Sequence, residues 1–202
     1  TGVPPTQVVI IGAGTVAEYA ARTALGLGAN IKVFDNHIYK LRRIKQLLGQ
    51  QIYTSTLDNL SLAQALAEAD VVIGALRAEK GRNKIVVSEE MVANMIHGSI
   101  IIDVAIDQGG CVETSRMTTH DEPVYKVHDI IHYCVPNIAS RVARTASYSL
   151  SNIFTPIVLQ MSDLGGAEEM IFNYKWFLRG VYTYRGSLTN AYLGKKFGLT
   201  HK

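Results

Sequence analysis

The stretch "QVVIIGAGTVAEYAARTALGLGANIKVFDN", Gln7 to Asn36, constrains the fold more than any other part of the chain. Gln7–Gly12 is a continuous apolar run, as expected for a strand covered on both faces. Thr15–Leu27 places Val16, Ala20, Thr23, Ala24 and Leu27 at helical spacing, and Gly28 suits the position just past a helix end. Ile31–Phe34 reads as a second strand that stops on an acid, Asp35. Between the first strand and the helix stands Gly12-Ala13-Gly14-Thr15-Val16-Ala17, a G-x-G-x-x-A turn. Gly12 permits the tight turn, Gly14 lets backbone approach a pyrophosphate, and Ala17 is small enough for close helix–strand packing. The unpaired N–H groups at the helix start, with the helix dipole, favour phosphates. The hexapeptide alone also fits a plain tight turn. The strand before it, the helix after it and Asp35 beyond supply the context a dinucleotide site requires. The Asp35 carboxylate can accept from both ribose hydroxyls of adenosine and would repel a 2′-phosphate, which favours NAD over NADP. The plainer readings are an ordinary loop acid at Asp35, a solvated helix-start residue at His37, and solvated charges at Lys40 and Arg42, one of which could brace the ribose.

Apolar runs and amphipathic segments continue to alternate. His37–Leu48 carries Ile38, Leu41, Ile44, Leu47 and Leu48 on one face and ends at Gly49. Ile52–Thr54, Asp70–Leu76, Ser99–Ala105 and Ile130–Val135 read as strands. Leu62–Ala69 reads as a helix capped by Ser61, and Ser88–Ile96 as a helix with acids in its first turn. This alternation over about 130 residues predicts right-handed crossovers and an α/β, Rossmann-type doubly wound parallel sheet. After Asn137 the texture changes. Ala139–Met161 reads as one long helix, kinked or split at Pro156. Glu168–Leu178 reads as a helix, "GVYTYRG" as an extended piece and "LTNAYLGKKFG" as a last short helix. The expected division is a nucleotide-binding domain over 1–148 and a C-terminal segment over 149–202 too small for a core of its own. The opening "TGVPPTQ" has no initiator Met, and Pro4-Pro5 reads as a linker from something upstream, so a fragment of a longer protein is expected.

Composition narrows the function classes. The chain is 48% hydrophobic and 18% charged, with a net charge of +3 that forms no basic run, so a nucleic-acid partner is not expected. No apolar stretch reaches the ~18 residues of a membrane helix, and no signal peptide is evident. Cys111 and Cys134 show no metal-ligand spacing and read as free thiols of a reducing compartment. No metal site is expected.

A second cluster spans "IIIDVAIDQGGCVETSRMTTHDEPVYKVHDIIHYCVPN", Ile100 to Asn137. Asp107 lies just beyond the carboxyl end of a buried strand, Gln108-Gly109-Gly110 reads as a flexible turn, and Asn137 ends the next strand. Ligands of open parallel sheets sit outside the carboxyl ends of strands. A dinucleotide held at Gly12–Ala17 therefore extends toward Asp107, which could face the reacting carbon, and Asn137, which could bond the nicotinamide amide or ribose. Asp103, inside its strand, reads as a satisfied core acid. His120, His128 and His132 read as hydrogen-bonding core or loop residues, and Cys111 as structural.

These motifs resemble the alanine dehydrogenase/NAD(P) transhydrogenase alpha-subunit family. The resemblance rests on "VVIIGAGTV", "EADVVIGAL", "EEMV", the Asp103–Asn137 run and the closing "GVYTYRGSLTN", and spans nearly the whole chain. The acid of "AIDQGG" and the "TTHDEPVY…HYCV" segment are more similar to the dehydrogenase branch. The resemblance implies pyrophosphate contact at Gly12, Gly14, Thr15 and Val16, ribose contact at Asp35 with Lys40 nearby, apolar contacts from Leu76 and Val104, nicotinamide-side contacts from Asn137 and Ile138, and Asp107 as the catalytic acid. It implies NAD-dependent oxidative deamination of L-alanine to pyruvate and ammonia by a cytoplasmic homo-oligomer, hexamer or dimer, that binds neither membrane nor nucleic acid. It further implies a substrate domain built from an N-terminal segment absent from this sequence plus residues 149–202, so that this chain alone binds NAD but turns nothing over. The alternatives are a non-catalytic NAD(H)-binding module and a dehydrogenase for a larger amino acid.

Overall fold

The computed structural model describes residues 2–78 and 82–200. The chain divides into two compact units, Thr1–Ile138 and Ala139–Lys202.

In the first unit strands and helices alternate as β1 (Gln7–Ile11), α1 (Thr15–Gly26), β2 (Asn30–Phe34), α2 (Ile38–Leu48), β3 (Tyr53–Ser55), α3 (Asn59–Ala67), β4 (Val71–Gly74), α4 (Glu89–Ala93) and β5 (Ile100–Asp103). A hairpin of β6 (Val124–Val127) and β7 (Ile130–Tyr133) completes the sheet, in the order β3-β2-β1-β4-β5-β7-β6. Every neighbouring pair is parallel except β6 with β7. The period-2 alternation of β1 sends Val8 and Ile10 to one face and Val9 and Ile11 to the other. The first face packs on Ala17 and Ala21 of α1 and Leu41 and Ile44 of α2. The second packs on Leu62 and Leu66 of α3 and Val92 of α4. Helices therefore cover both faces, the doubly wound Rossmann-type arrangement. Each fully buried Ile or Leu of these layers contributes about 1.5–3 kcal/mol.

Register decides where a ligand can sit. Ile11 pairs with Phe34 on one side and Gly74 on the other, and Gly74 pairs with Asp103. The four strands thus end level, and Gly12, Asp35, Ala75 and Val104 emerge along one edge.

Several elements differ from the sequence reading. The cap of α3 is Asp58, whose carboxylate accepts the Ser61 N–H at 2.9 Å; Ser61 lies inside the helix. Strands β4 and β5 are shorter than their apolar runs, because Val104–Gln108 coils into a 3-10 turn and the chain leaves β4 at Ala75. Strand β6 has no counterpart in the reading. Its turn residues His128 and Asp129 both take positive φ, 51° and 60°, as a two-residue hairpin turn requires.

The second unit holds α5 (Ala143–Asp163), α6 (Ala167–Asn173), α7 (Lys175–Leu178), a two-stranded hairpin of β8 (Thr183–Tyr184) and β9 (Ser187–Leu188), and α8 (Ala191–Phe197). Pro156 lies within α5 without splitting it. The sequence-based division at 148/149 falls inside this continuous helix. The single helix expected over Glu168–Leu178 is instead two, separated by extended backbone at Tyr174. Among the described residues of this unit only Met170 and Gly194 are buried. No described helix is long and apolar enough to cross a membrane.

Candidate functional site

The turn after β1 is built for close approach. Gly12 has φ 110°, and a Cβ there would lie 2.5 Å from the Ala75 carbonyl oxygen, so the position admits only glycine. Its N–H donates to the Phe34 carbonyl at 2.7 Å. Gly14 is different. Its φ is −86°, it begins α1 with no side-chain cap, and a Cβ there would meet no atom within 4 Å. The start of α1 thus has no side-chain cap and leaves space beside Gly14. Thr15 and Val16 are exposed in that first turn, while Ala17 is fully buried against the sheet.

Asp35, only 4% exposed, is tied into the same turn. Its Oδ2 accepts the Ala13 N–H at 2.9 Å, and its Oδ1 accepts from the His37 backbone N–H and faces His37 Nδ1, both at 2.8 Å. Burial pushes this carboxyl up, but the His37 and Ala13 hydrogen bonds and the nearby Lys40 charge outweigh it and hold Asp35 below the ordinary carboxylate range. The sequence reading foresaw Asp35 at the strand end, not that His37 would engage it.

Asp35, Gly14, His37, Lys40 and Leu76 line a cleft of about 600 Å³ whose other cations are Arg77, Arg82 and Lys84. Among the described residues, four positive charges line this cleft against one buried acid, which favours an anionic ligand. A smaller recess of about 180 Å³ is lined by Val16, Leu76, Val104 and Asp107. Both are lined by Ala75, Leu76 and Arg77. Together they follow the carboxyl edge of the sheet from β2 to β5.

Asp107 is exposed on the 3-10 turn, and its carboxylate accepts the Asn137 N–H at 3.1 Å through Oδ1 and 3.4 Å through Oδ2. Asn137, with φ 52°, and Ile138 follow β7. Neither lines the two hollows described above; Asn137 reaches the smaller one through its bond to Asp107. The segment Gln108-Gly109-Gly110, read from sequence as a flexible turn, is hydrogen-bonded throughout. Gly109 and Gly110 N–H groups donate to the Ile106 and Ala105 carbonyls, and the Gln108 carbonyl accepts from Asn83 N–H. Gln108 Oε1 accepts the Ala78 N–H at 3.0 Å, and Asn83 Nδ2 donates to the Leu76 and Ala105 carbonyls. Asn83 and Gln108 thereby join the two walls of the cleft. Sequence periodicity carried no signal for either.

Behind this turn, Asp103 is 1% exposed and accepts the N–H groups of Ala105, Cys111 and Val112. A buried carboxylate so engaged organises the loop around it. Gly74 and Gly110 make room for it, since a Cβ at either would come within 3.0 Å of an Asp103 oxygen. Burial, reinforced by the Asp103 charge, pushes the Cys111 thiol well up, so it is no nucleophile. His132 is fully buried, and burial lowers its pKa, so the ring is neutral. Its Nδ1 lies 3.0 Å from the Ile130 carbonyl, which can only accept; Nδ1 therefore carries the proton and Nε2 accepts from the Thr114 hydroxyl at 2.8 Å. His128 pairs with Glu89 at 2.9 Å on the surface. Among the described residues no three His, Cys, Asp or Glu side chains gather as a metal site.

Comparison with known proteins places this geometry. The family described as "Alanine dehydrogenase/PNT, C-terminal domain" matches residues 1–191. The chain is 42% identical to an alanine dehydrogenase of Mycolicibacterium smegmatis, over 98% of this chain and 53% of that protein. It is 38% identical to the alanine dehydrogenase of Bacillus subtilis, over 98% of this chain and 52% of that protein. A solved L-alanine dehydrogenase superposes with a TM-score of 0.89 at 35% identity, covering 98% of this chain and 54% of that one. A transhydrogenase from Sinorhizobium meliloti, at 22% identity and a TM-score of 0.75, shares the fold. The chain spans about half the length of the curated relatives it matches. With a family match across nearly all of its length and the turn, acids and sheet order described above, the chain belongs to the alanine dehydrogenase/PNT C-terminal domain family.

Proposed function

We propose that this chain is the nucleotide-binding part of an NAD-dependent L-alanine dehydrogenase. The observation that carries the reading is the shared carboxyl edge of β1, β2, β4 and β5, where an open helix start, a buried acid and an exposed acid line adjoining hollows. The names of relatives near 40% identity support the same activity.

In this reading the pyrophosphate rests on the backbone of Gly12, Gly14, Thr15 and Val16, where N–H groups and the cationic cleft wall offset its charge. Asp35, with Lys40 beside it, receives the adenosine ribose. Leu76 and Val104 flank the dinucleotide where the two hollows meet. Asn137 and Ile138 serve the nicotinamide end. NAD⁺, when bound, accepts the hydride that leaves the α-carbon of the amino acid. Loss of that hydride leaves a cationic iminium on the substrate. The exposed carboxylate of Asp107 stabilises this charge and orients the water that adds to the carbon. Ammonia then departs and pyruvate remains. L-alanine, NAD⁺ and water thus yield pyruvate, ammonium, NADH and a proton.

The same reading makes the first unit the nucleotide-binding domain and the second part of a substrate domain completed by further chain, as the doubled length of the relatives supports. The partners are then a small amino acid and other copies of the same protein, in the cytoplasm. The test is to supply NAD⁺ and L-alanine to the protein that carries this chain together with the remainder of such a relative's length, and to follow NADH absorbance. NADH formation with L-alanine, and little with lysine or glutamate, is expected. Turnover of a larger amino acid alone, or of none, contradicts the reading.

A further inference from the structure

Asp35 has little room left for a nucleotide. A carboxylate offers about four lone-pair positions, two on each oxygen. Ala13 N–H takes one on Oδ2, and the His37 backbone N–H and ring Nδ1 take both on Oδ1. A carboxylate only accepts, so Nδ1 bears the proton of that contact. One position on Oδ2 remains. A ribose diol brings two hydroxyl donors.

The three bonds differ in kind. Those from Ala13 and from the His37 backbone belong to the fold of the turn and of the α2 start. The ring bond does not. The His37 side chain makes no capping bond to α2, is 42% exposed, and lines the cleft itself. The Tyr39 ring packs edge-on against it at 5.7 Å.

We infer that His37 limits affinity at the adenosine-ribose pocket: its imidazole competes with the nucleotide sugar for Oδ1 of Asp35, and both hydroxyls dock only when the ring leaves. The inference rests on the dinucleotide reading above and refines its ribose subsite. It carries a distinctive sign. A residue that merely supported Asp35 would weaken binding when removed, whereas a competitor strengthens it.

The test is calorimetric titration of the 202-residue chain with NADH and, separately, with ADP, which keeps the sugar and both phosphates but lacks the nicotinamide. Wild type is compared with His37→Ala and with His37→Phe, which keeps a ring against Tyr39 but removes the donor. Both variants are expected to bind both probes at least about tenfold more tightly, the scale of one hydrogen bond to a charged group. Equal or weaker binding by either variant, with wild-type binding intact, overturns this inference and leaves the dinucleotide reading standing. Absence of NADH binding in all three forms overturns that reading, and this inference with it.

Discussion

Asp107 and Asn137 are joined by a hydrogen bond of 3.1 Å from the Asn137 backbone N–H to the Asp107 carboxylate. The contact brings the turn after β5 and the end of β7 together at the smaller recess. It also separates two roles of Asp107. In Asp107→Asn the amide oxygen still accepts from Asn137, so the melting temperature and NADH affinity should change little, the latter by less than about twofold. Deamination by the complete protein should fall by about two orders of magnitude or more, because the charge facing the cationic iminium is gone. Steady-state kinetics beside a binding titration separate the two effects; turnover near wild type removes Asp107 from the chemistry.

The two glycines of the turn should fail in opposite ways. Gly12→Ala forces a Cβ against the Ala75 carbonyl at positive φ and should cost about 3 kcal/mol of stability in urea unfolding. Gly14→Ala has ordinary φ and open space, so stability should hold or rise slightly. Its methyl group enters the space a pyrophosphate needs, and NADH affinity should fall at least about tenfold. A Gly14→Ala chain that binds like wild type contradicts the placement of the phosphates.

Asp103 should prove structural. Asp103→Asn turns an amide NH₂ toward backbone donors and should destabilise the first unit by about 2–4 kcal/mol. NADH binding should weaken with it, since Val104 and Asp107 ride on the turn that Asp103 holds. Unfolding by urea, read by far-ultraviolet circular dichroism, measures the cost.

Two groups give the stability a pH dependence with a definite sign. Burial holds the His132 pKa in the folded chain below the 6.5 of an ordinary imidazole. Below that value the unfolded chain takes up a proton that the buried ring resists, so stability should fall as pH drops from about 6.5. His132→Gln should be less stable at pH 8 and should lose less on going to pH 5.5. Asp35 has a folded pKa below the 3.8 of an ordinary aspartate. Its contribution is complete above 3.8 and is lost as pH falls through the lowered folded value, so it shapes only the acid limb below that of His132. Thermal melts across pH 3–8 check both; a flat profile for wild type between pH 8 and pH 5.5 contradicts the His132 account.

The first crossover was readable because its signals are local. An apolar run, two glycines, a 3.6-residue period and a closing acid lie within thirty residues, and the same patterns located β4, β5 and β7. What escaped was set by contacts distant in sequence or by unusual backbone. The β6–β7 hairpin turns on His128 and Asp129 at positive φ, without the glycine that marks such turns. Tyr174 breaks the expected helix with neither Gly nor Pro at the break. Asp58 captured the α3 cap three residues before the serine that resembled one. At the site, Asp35 and Asp107 were singled out from their strand ends. Their partners, His37 by its ring and Asn137 by its backbone, follow only from side-chain packing. Asn83 and Gln108 bond across a loop, where no periodicity records them.

The most direct measurement is calorimetric titration of the 202-residue chain with NADH, alone and after saturation with ADP. The account predicts saturable one-to-one binding, displaced by ADP and lost in Gly14→Val and Asp35→Asn chains that still fold. No heat from the wild type, or binding that survives both substitutions, contradicts it.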